Sequence, residues 1–228
     1  MWRGGDSCSP FLPPSGIRVA HLMSREDALK RLISTSLLLS CAACSPAHLI
    51  DKATLKRVMP GMMPAPDVEM ICAAGTALGP LTSALDVDNP PQKSLVLTMM
   101  AAGMCADVAV WEAELERRRA PHEGRGAVAE DLLERESRLH AVAARRYYAA
   151  WQNLEAAFGP VGEDCPKLNE KRNEDLLYLL GLSSGVLAMI HDRSAQGVVG
   201  VPMDIPPRVG RAASCLDDDR FWAVPSAL

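Results

Sequence analysis

Few side chains in this sequence combine a type and a spacing that could do chemistry. Cys41-Ala42-Ala43-Cys44, with His48 close by, offers thiolates and an imidazole that could share a tetrahedral zinc ion. No second ligand pair stands at suitable spacing, and an isolated C-x-x-C is a frequent false match. The five histidines, His21, His48, His122, His140 and His191, show no i,i+4 partner. No Ser/His/Asp set can be assembled, and no P-loop, G-x-G-x-x-G or H-E-x-x-H occurs. Glu130, Asp131, Glu134 and Glu136 read as the solvated face and first turns of a helix, where acids suit the dipole. Asp217, Asp218 and Asp219 read as a solvated turn rather than a calcium site. The densest aromatic and basic group is Arg145, Arg146, Tyr147, Tyr148 and Trp151. Tyr, Trp and Arg dominate binding hot spots, so these five are the candidate partner-binding residues. The competing expectation is that Tyr147 and Trp151, four apart, pack against the next helices while the arginines stay solvated. No catalytic residue and no metal site is expected, and the function class is binding rather than catalysis.

The cysteines at 41 and 44 also close a leader-like segment. Residues 1–22 have no amphipathic period, and a second potential start, Met23, follows them. From Met23 come Arg25, Lys30 and Arg31, then the short uncharged run LISTSLLLS at 32–40, then Cys41. A basic start, a short apolar region and small residues at its end describe a secretory leader. The apolar run is too short to span a bilayer, which takes about 20 apolar residues. Leu38-Leu39-Ser40-Cys41 fits a lipobox, and Cys41-Ala42-Ala43-Cys44 fits less well. The expectation is therefore an upstream, non-native extension over 1–22, a lipoprotein signal peptide over 23–40, and a covalent lipid on Cys41. No other cofactor is expected. Ala42 after the cysteine directs such a protein to the outer membrane. The rival is a cytosolic protein whose first helix is residues 23–40.

The chain has 228 residues, 48% hydrophobic and 23% charged, enough to bury a core in one domain. The formal net charge of −4 argues against a phosphate-tracking nucleic-acid binder. Residues 1–40 carry five basic and three acidic groups, which leaves −6 for the remainder. That suits an acidic body held near a membrane by its lipid. If Cys41 is acylated, Cys44, Cys72, Cys105, Cys165 and Cys215 remain, odd in number and irregular in spacing, so no disulfide framework is implied. Cys72 and Cys105 sit in apolar helical runs, where cysteine packs as a small hydrophobe. A bridge between them in an oxidising compartment is the lesser reading.

No strand alternation persists, while helix signals recur. After a linker with a short helix at 41–66, Asp67 opens a run to about 86 with a kink expected at Gly79-Pro80. Asn89 as N-cap with Pro90 starts a second helix that ends on Arg117-Arg118-Arg119, where arginines suit the dipole. A loop at 121–126 precedes a long amphipathic helix at 127–158, closed by Gly159-Pro160. The next helix, about 173–191, is apolar on all sides over fifteen residues, which is a buried helix rather than a membrane span. Gly181 and Gly185, four apart, would admit a neighbouring helix closely. His191 at its end suits the dipole. Asp204 then caps a helix whose Ile205, Val209, Ala212, Ala213 and Leu216 share one face. A further helix begins near 221. The fold class is all-α, with antiparallel helix hairpins stacked as a helical-repeat domain over 67–228.

RAASCLDDDRFWAV at 211–224 looks like the end of a tetratricopeptide unit. Over about 41–222 the chain resembles the T component associated with TRAP-type transporters. The likeness rests on the Cys41 leader, AAGTALGPLTSALDVDNPPQKSLVLTMMAAGMCADVAV, SRLHAVAARRYYAAWQNLEAAF, and EDLLYLLGLSSGVLAMI followed by DIPPRVGRAASCLD. The resemblance implies a periplasmic lipoprotein with degenerate tetratricopeptide-like repeats, forming a TPR-like α-solenoid. It implies a periplasmic solute-receptor protein of a TRAP-type system as partner, to which a ligand could be delivered. Such proteins continue with further helices after the Leu-Asp step, so a C-terminally truncated solenoid is expected. Homo-oligomer formation stays open. The alternatives are an adaptor lipoprotein in envelope assembly without a ligand, or a cytosolic all-α protein-binding module.

Overall fold

The computed structural model describes residues 46–65, 67–85, 88–221 and 223–228. The extension, the signal peptide, Cys41 and Trp222 lie outside the described residues. All that is described belongs to a compact unit beginning at Cys44. Helices make it up, and among the described residues there is no strand.

Segment 46–62 is helical throughout rather than a linker with one short helix. It comprises α1 (Pro46–Ala53), a π-helical turn (Thr54–Val58) and α2 (Met59–Met62). Leu55 and Met59, at 2% and 0% exposure, anchor it in the main core. Helix α3 (Val68–Ala84) starts as the sequence indicates, with the Asp67 carboxylate accepting the Met70 N–H at 3.0 Å. It continues through Pro80 as one element.

Helix α4 (Gln92–Arg119) begins later than an Asn89 cap would place it. Its first turn is capped from another element. Asp51 of α1 accepts the Ser94 N–H at 2.8 Å and the Ser94 hydroxyl at 2.7 Å, across 43 residues of sequence. The carboxylate thus acts as a cap at the positive end of the helix. Helix α5 (Val128–Phe158) ends at Gly159, whose φ of 92° is open to glycine and costly for other residues. Helix α6 (Glu174–Ser194) follows, then α7 (Ile205–Ala213) and the short α8 (Val224–Ala227).

The helices pack in chain order: α3 on α4, α4 on α5, α5 on α6, α6 on α7. Helix α4 also meets α6, so α4, α5 and α6 enclose the centre. Helix α4 is long and apolar enough to cross a membrane, but half of its most apolar stretch is buried against the other helices, as in a core helix.

Small residues set how closely these helices approach. A Cβ on Gly181 would come within 2.6 Å of Leu154, and one on Gly185 would strike the Trp151 ring. The close approach expected of these two glycines is therefore present, and α5 is the helix that makes it. A Cβ on Gly210 in α7 would meet nothing within 4 Å. Gly185→Ala should cost about 1–3 kcal/mol through overpacking. Gly210→Ala should instead gain about 0.5–1 kcal/mol by relieving helix entropy. Urea midpoints of the two variants should move in opposite directions.

Two cystines close the structure, contrary to the expectation of small buried thiols without a framework. Cys72 joins Cys105 with Cα atoms 4.9 Å apart, and Cys165 joins Cys215 at 5.4 Å. The first follows from how tightly α3 lies on α4: a Cβ on Gly75 would meet Ala101 at 2.6 Å. The second ties the α5–α6 connection to the end of α7, where a Cβ on Gly162 would come within 2.6 Å of the Arg208 carbonyl. Neither approach is visible as a spacing in the sequence.

Candidate functional site

Between α4, α5 and α6 lies a polar cluster in which Tyr147 and His191 are buried and Asp107 and His140 half-buried. Asp107 is the lone charged residue between Lys93 and Glu112 on an otherwise apolar run. Its position on α4 turns it toward α5 and α6. On α5, Glu136, His140, Ala143 and Tyr147 step by three or four and so share a face. His191 extends the Ser184–Ala188 face of α6.

Asp107 accepts at both carboxylate oxygens. The His191 Nε2–H lies 2.7 Å from one and the Tyr147 hydroxyl 2.7 Å from the other. His140 Nδ1 and His191 Nδ1 are 2.8 Å apart. With His191 Nε2 donating to Asp107, a neutral His191 has its Nδ1 lone pair free, so His140 Nδ1–H is the donor between the rings. The Tyr147 ring also stacks on His191, with centroids 5.7 Å apart. One layer along, Arg117 Nε meets the Glu136 carboxylate at 2.6 Å. Glu136 is thus buried and paired, whereas Glu130, Asp131 and Glu134 lie on the solvated face expected of the whole group. His191 is likewise more than a dipole partner, being 5% exposed and bonded on both ring nitrogens.

The electrostatics follow from burial and partners. Burial alone would raise the Asp107 carboxyl, but the hydrogen bonds from His191 and Tyr147 outweigh it and hold it below the usual value. Burial, then the Asp107 acceptor, pushes the Tyr147 hydroxyl far upward, so it stays a donor. Burial, then the neighbouring His191, lowers His140, and Glu136, Asp107 and Glu114 do not fully compensate. The cluster is thus a hydrogen-bonded chain running from His140 through His191 to the Asp107 carboxylate. A second proton on the pair would set two Nδ1–H groups facing each other.

His140 titrates below the ordinary histidine value of 6.5 in the folded chain, so the unfolded chain takes up that proton first. Stability should decline as pH falls through about 6.5, with a further loss below about 4 as Asp107 is forced to protonate. His140→Asn keeps a donor toward His191 and should flatten the upper limb of a Tm-against-pH curve between pH 7.5 and 5. An unchanged upper limb in that variant would assign the decline to other groups.

The five candidate partner-binding residues do not form one surface. Tyr147 and Trp151 are each 1% exposed, and Tyr148 packs half-buried against the core. Arg146 donates to the Ala102 carbonyl at 2.8 Å. Arg145 alone of the five is exposed. It lines an open groove of about 580 Å³ with Ser137, Arg138 and Ala141 of α5 and Gln196 and Val198 after α6. The loop that follows α6 is held by buried Asp192, whose carboxylate accepts the Val199 and Val201 N–H groups, each at 2.8 Å.

Sequence reasoning passed over Asp107, His140 and His191 because their spacings, 51 residues between the histidines, match no local motif. The available signal was a lone acid inside an apolar helix. Among the described residues, no group of three or more His, Cys, Asp or Glu could hold a metal ion. No protein-family model, no curated protein and no solved structure matches the chain.

Proposed function

We propose that this chain is a non-enzymatic, lipid-anchored periplasmic binding protein that assists a TRAP-type uptake system. It would grip the solute-receptor subunit, and a small ligand with it, while the lipid on Cys41 keeps it at the outer membrane. The observation that carries this is the pairing of four cysteines into two cystines within an all-helical body. Disulfides of this kind persist in exported proteins and are rare where thiols are kept reduced. The compartment fits the leader at 23–40.

The packing order supports a solenoid of helix hairpins. Each helix from α3 to α7 lies on its neighbour in sequence, and α4 also meets α6, the next helix but one. A 34-residue repeat holds two helices, whereas α4, α5 and α6 have 28, 31 and 21 residues, so any two in succession exceed it. The likeness to tetratricopeptide units is thus one of packing order and not of period. The groove beside Arg145 is the partner surface in this proposal, since Arg138 and Arg145 stand exposed along it.

Affinity purification of the full chain from a cell that carries a TRAP-type system tests the proposal. The expected result is co-purification of the solute receptor, reduced at least tenfold by Arg145→Glu. Recovery of envelope-assembly proteins without any receptor would favour the adaptor instead.

A further inference from the structure

We propose that a methionine-lined cavity bounded by α2, α3, α4 and α6 binds a soft monovalent metal ion, Cu(I), through thioether sulfur. The cavity measures about 210 Å³. Met62 and Met63 reach it from the end of α2, and Met100 and Met104 from α4. The last two are one helical turn apart and so share a face. The rest of the wall, Ile71 and Leu180 included, is hydrocarbon.

Three observations favour an ion over a packing fault. First, four thioether side chains from two separate elements border one space, and among the described residues no nitrogen- or oxygen-bearing side chain does. Such a wall has nothing to offer a hard cation, whereas thioethers select Cu(I). Second, the space opens to solvent and Met63 is 52% exposed, so an ion can enter and the flexible methionine stems can close on it. Third, Ile71 and Met104 each precede a member of the Cys72–Cys105 pair. With those sulfurs bonded to each other, thioethers are the soft donors left at this place in the oxidised chain. Binding needs no redox step: the ion enters as Cu(I) and leaves as Cu(I). The site stands whether or not the chain serves an uptake system.

The test is a competition for Cu(I) between the oxidised full chain and a chromophoric chelator, under ascorbate without oxygen. Ag(I) calorimetry serves as a redox-inert repeat. The expected result is one ion per chain, with retention at least tenfold weaker in the Met100→Leu/Met104→Leu double variant. Leucine keeps the volume and apolar character, so an unchanged Tm shows the variant is folded. Met99→Leu is the control, because Met99 lies against Gly79 and outside the cavity wall, and it should bind as the parent does. Failure of the parent chain to withhold Cu(I), or equal retention by the double variant, would overturn the proposal. Uptake of an alkyl probe by parent and double variant alike, with no Cu(I) retained, would overturn it too and make the space an apolar ligand cavity.

Discussion

Asp107→Ala should lower the Tm by about 10 °C, the largest single-residue effect expected in this protein. The carboxylate is the acceptor for two donors at once, His191 Nε2–H and the Tyr147 hydroxyl. Truncation leaves both without a partner in the interior, at about 1–3 kcal/mol each. For a chain of this size, 1 kcal/mol corresponds to about 2–4 °C. Asp107→Asn should fall between the two. Its amide oxygen satisfies one donor, while its NH2 group faces the other. Calorimetric or dichroism melts of the three chains at pH 7.5 check the order. An alanine variant that melts with the parent would mean that water replaces the carboxylate and that α4, α5 and α6 are not held by this cluster.

The second large effect concerns the cystines. Cys165→Ser/Cys215→Ser opens a loop of 50 residues, and Cys72→Ser/Cys105→Ser one of 33. Loop-closure entropy in the unfolded chain puts each loss at about 4 kcal/mol. The two bridges join different parts, so their losses should nearly add. Dithiothreitol should shift the guanidinium midpoint of the parent toward that of the four-serine variant and leave the latter unmoved. Hydrogen exchange should separate the two bridges, with faster exchange at α7 and the α5–α6 connection in one variant, and in α3 in the other.

Local signals in the sequence carried a large part of the fold. Asp67 caps α3, the three arginines end α4, and Gly159 ends α5 because each of these acts on its own or adjacent turns. The glycines at 181 and 185 were legible as contact points because their spacing marks one face of a helix. What was not legible acts between elements. Asp51 caps α4 from another helix, so local reading placed the start at Asn89 instead. The histidine pair and the cystines depend on which helix faces meet, and amphipathic period says that a face is buried without saying against what. Tyr147 and Trp151 show the limit from the other side. Their composition suits a hot spot, yet the same four-residue step places both in the core, leaving Arg145 exposed beside the groove.

Intact-mass measurement, combined with membrane fractionation, tests the central claim most directly. The chain would be expressed from Met23 in a Gram-negative host and its mass taken before and after reduction and alkylation. The prediction is loss of residues 23–40, a triacyl group on Cys41, membrane association, and four cysteines that alkylate only after reduction. An unprocessed soluble chain whose Cys72, Cys105, Cys165 and Cys215 alkylate without reductant would contradict the exported lipoprotein, and the uptake role with it.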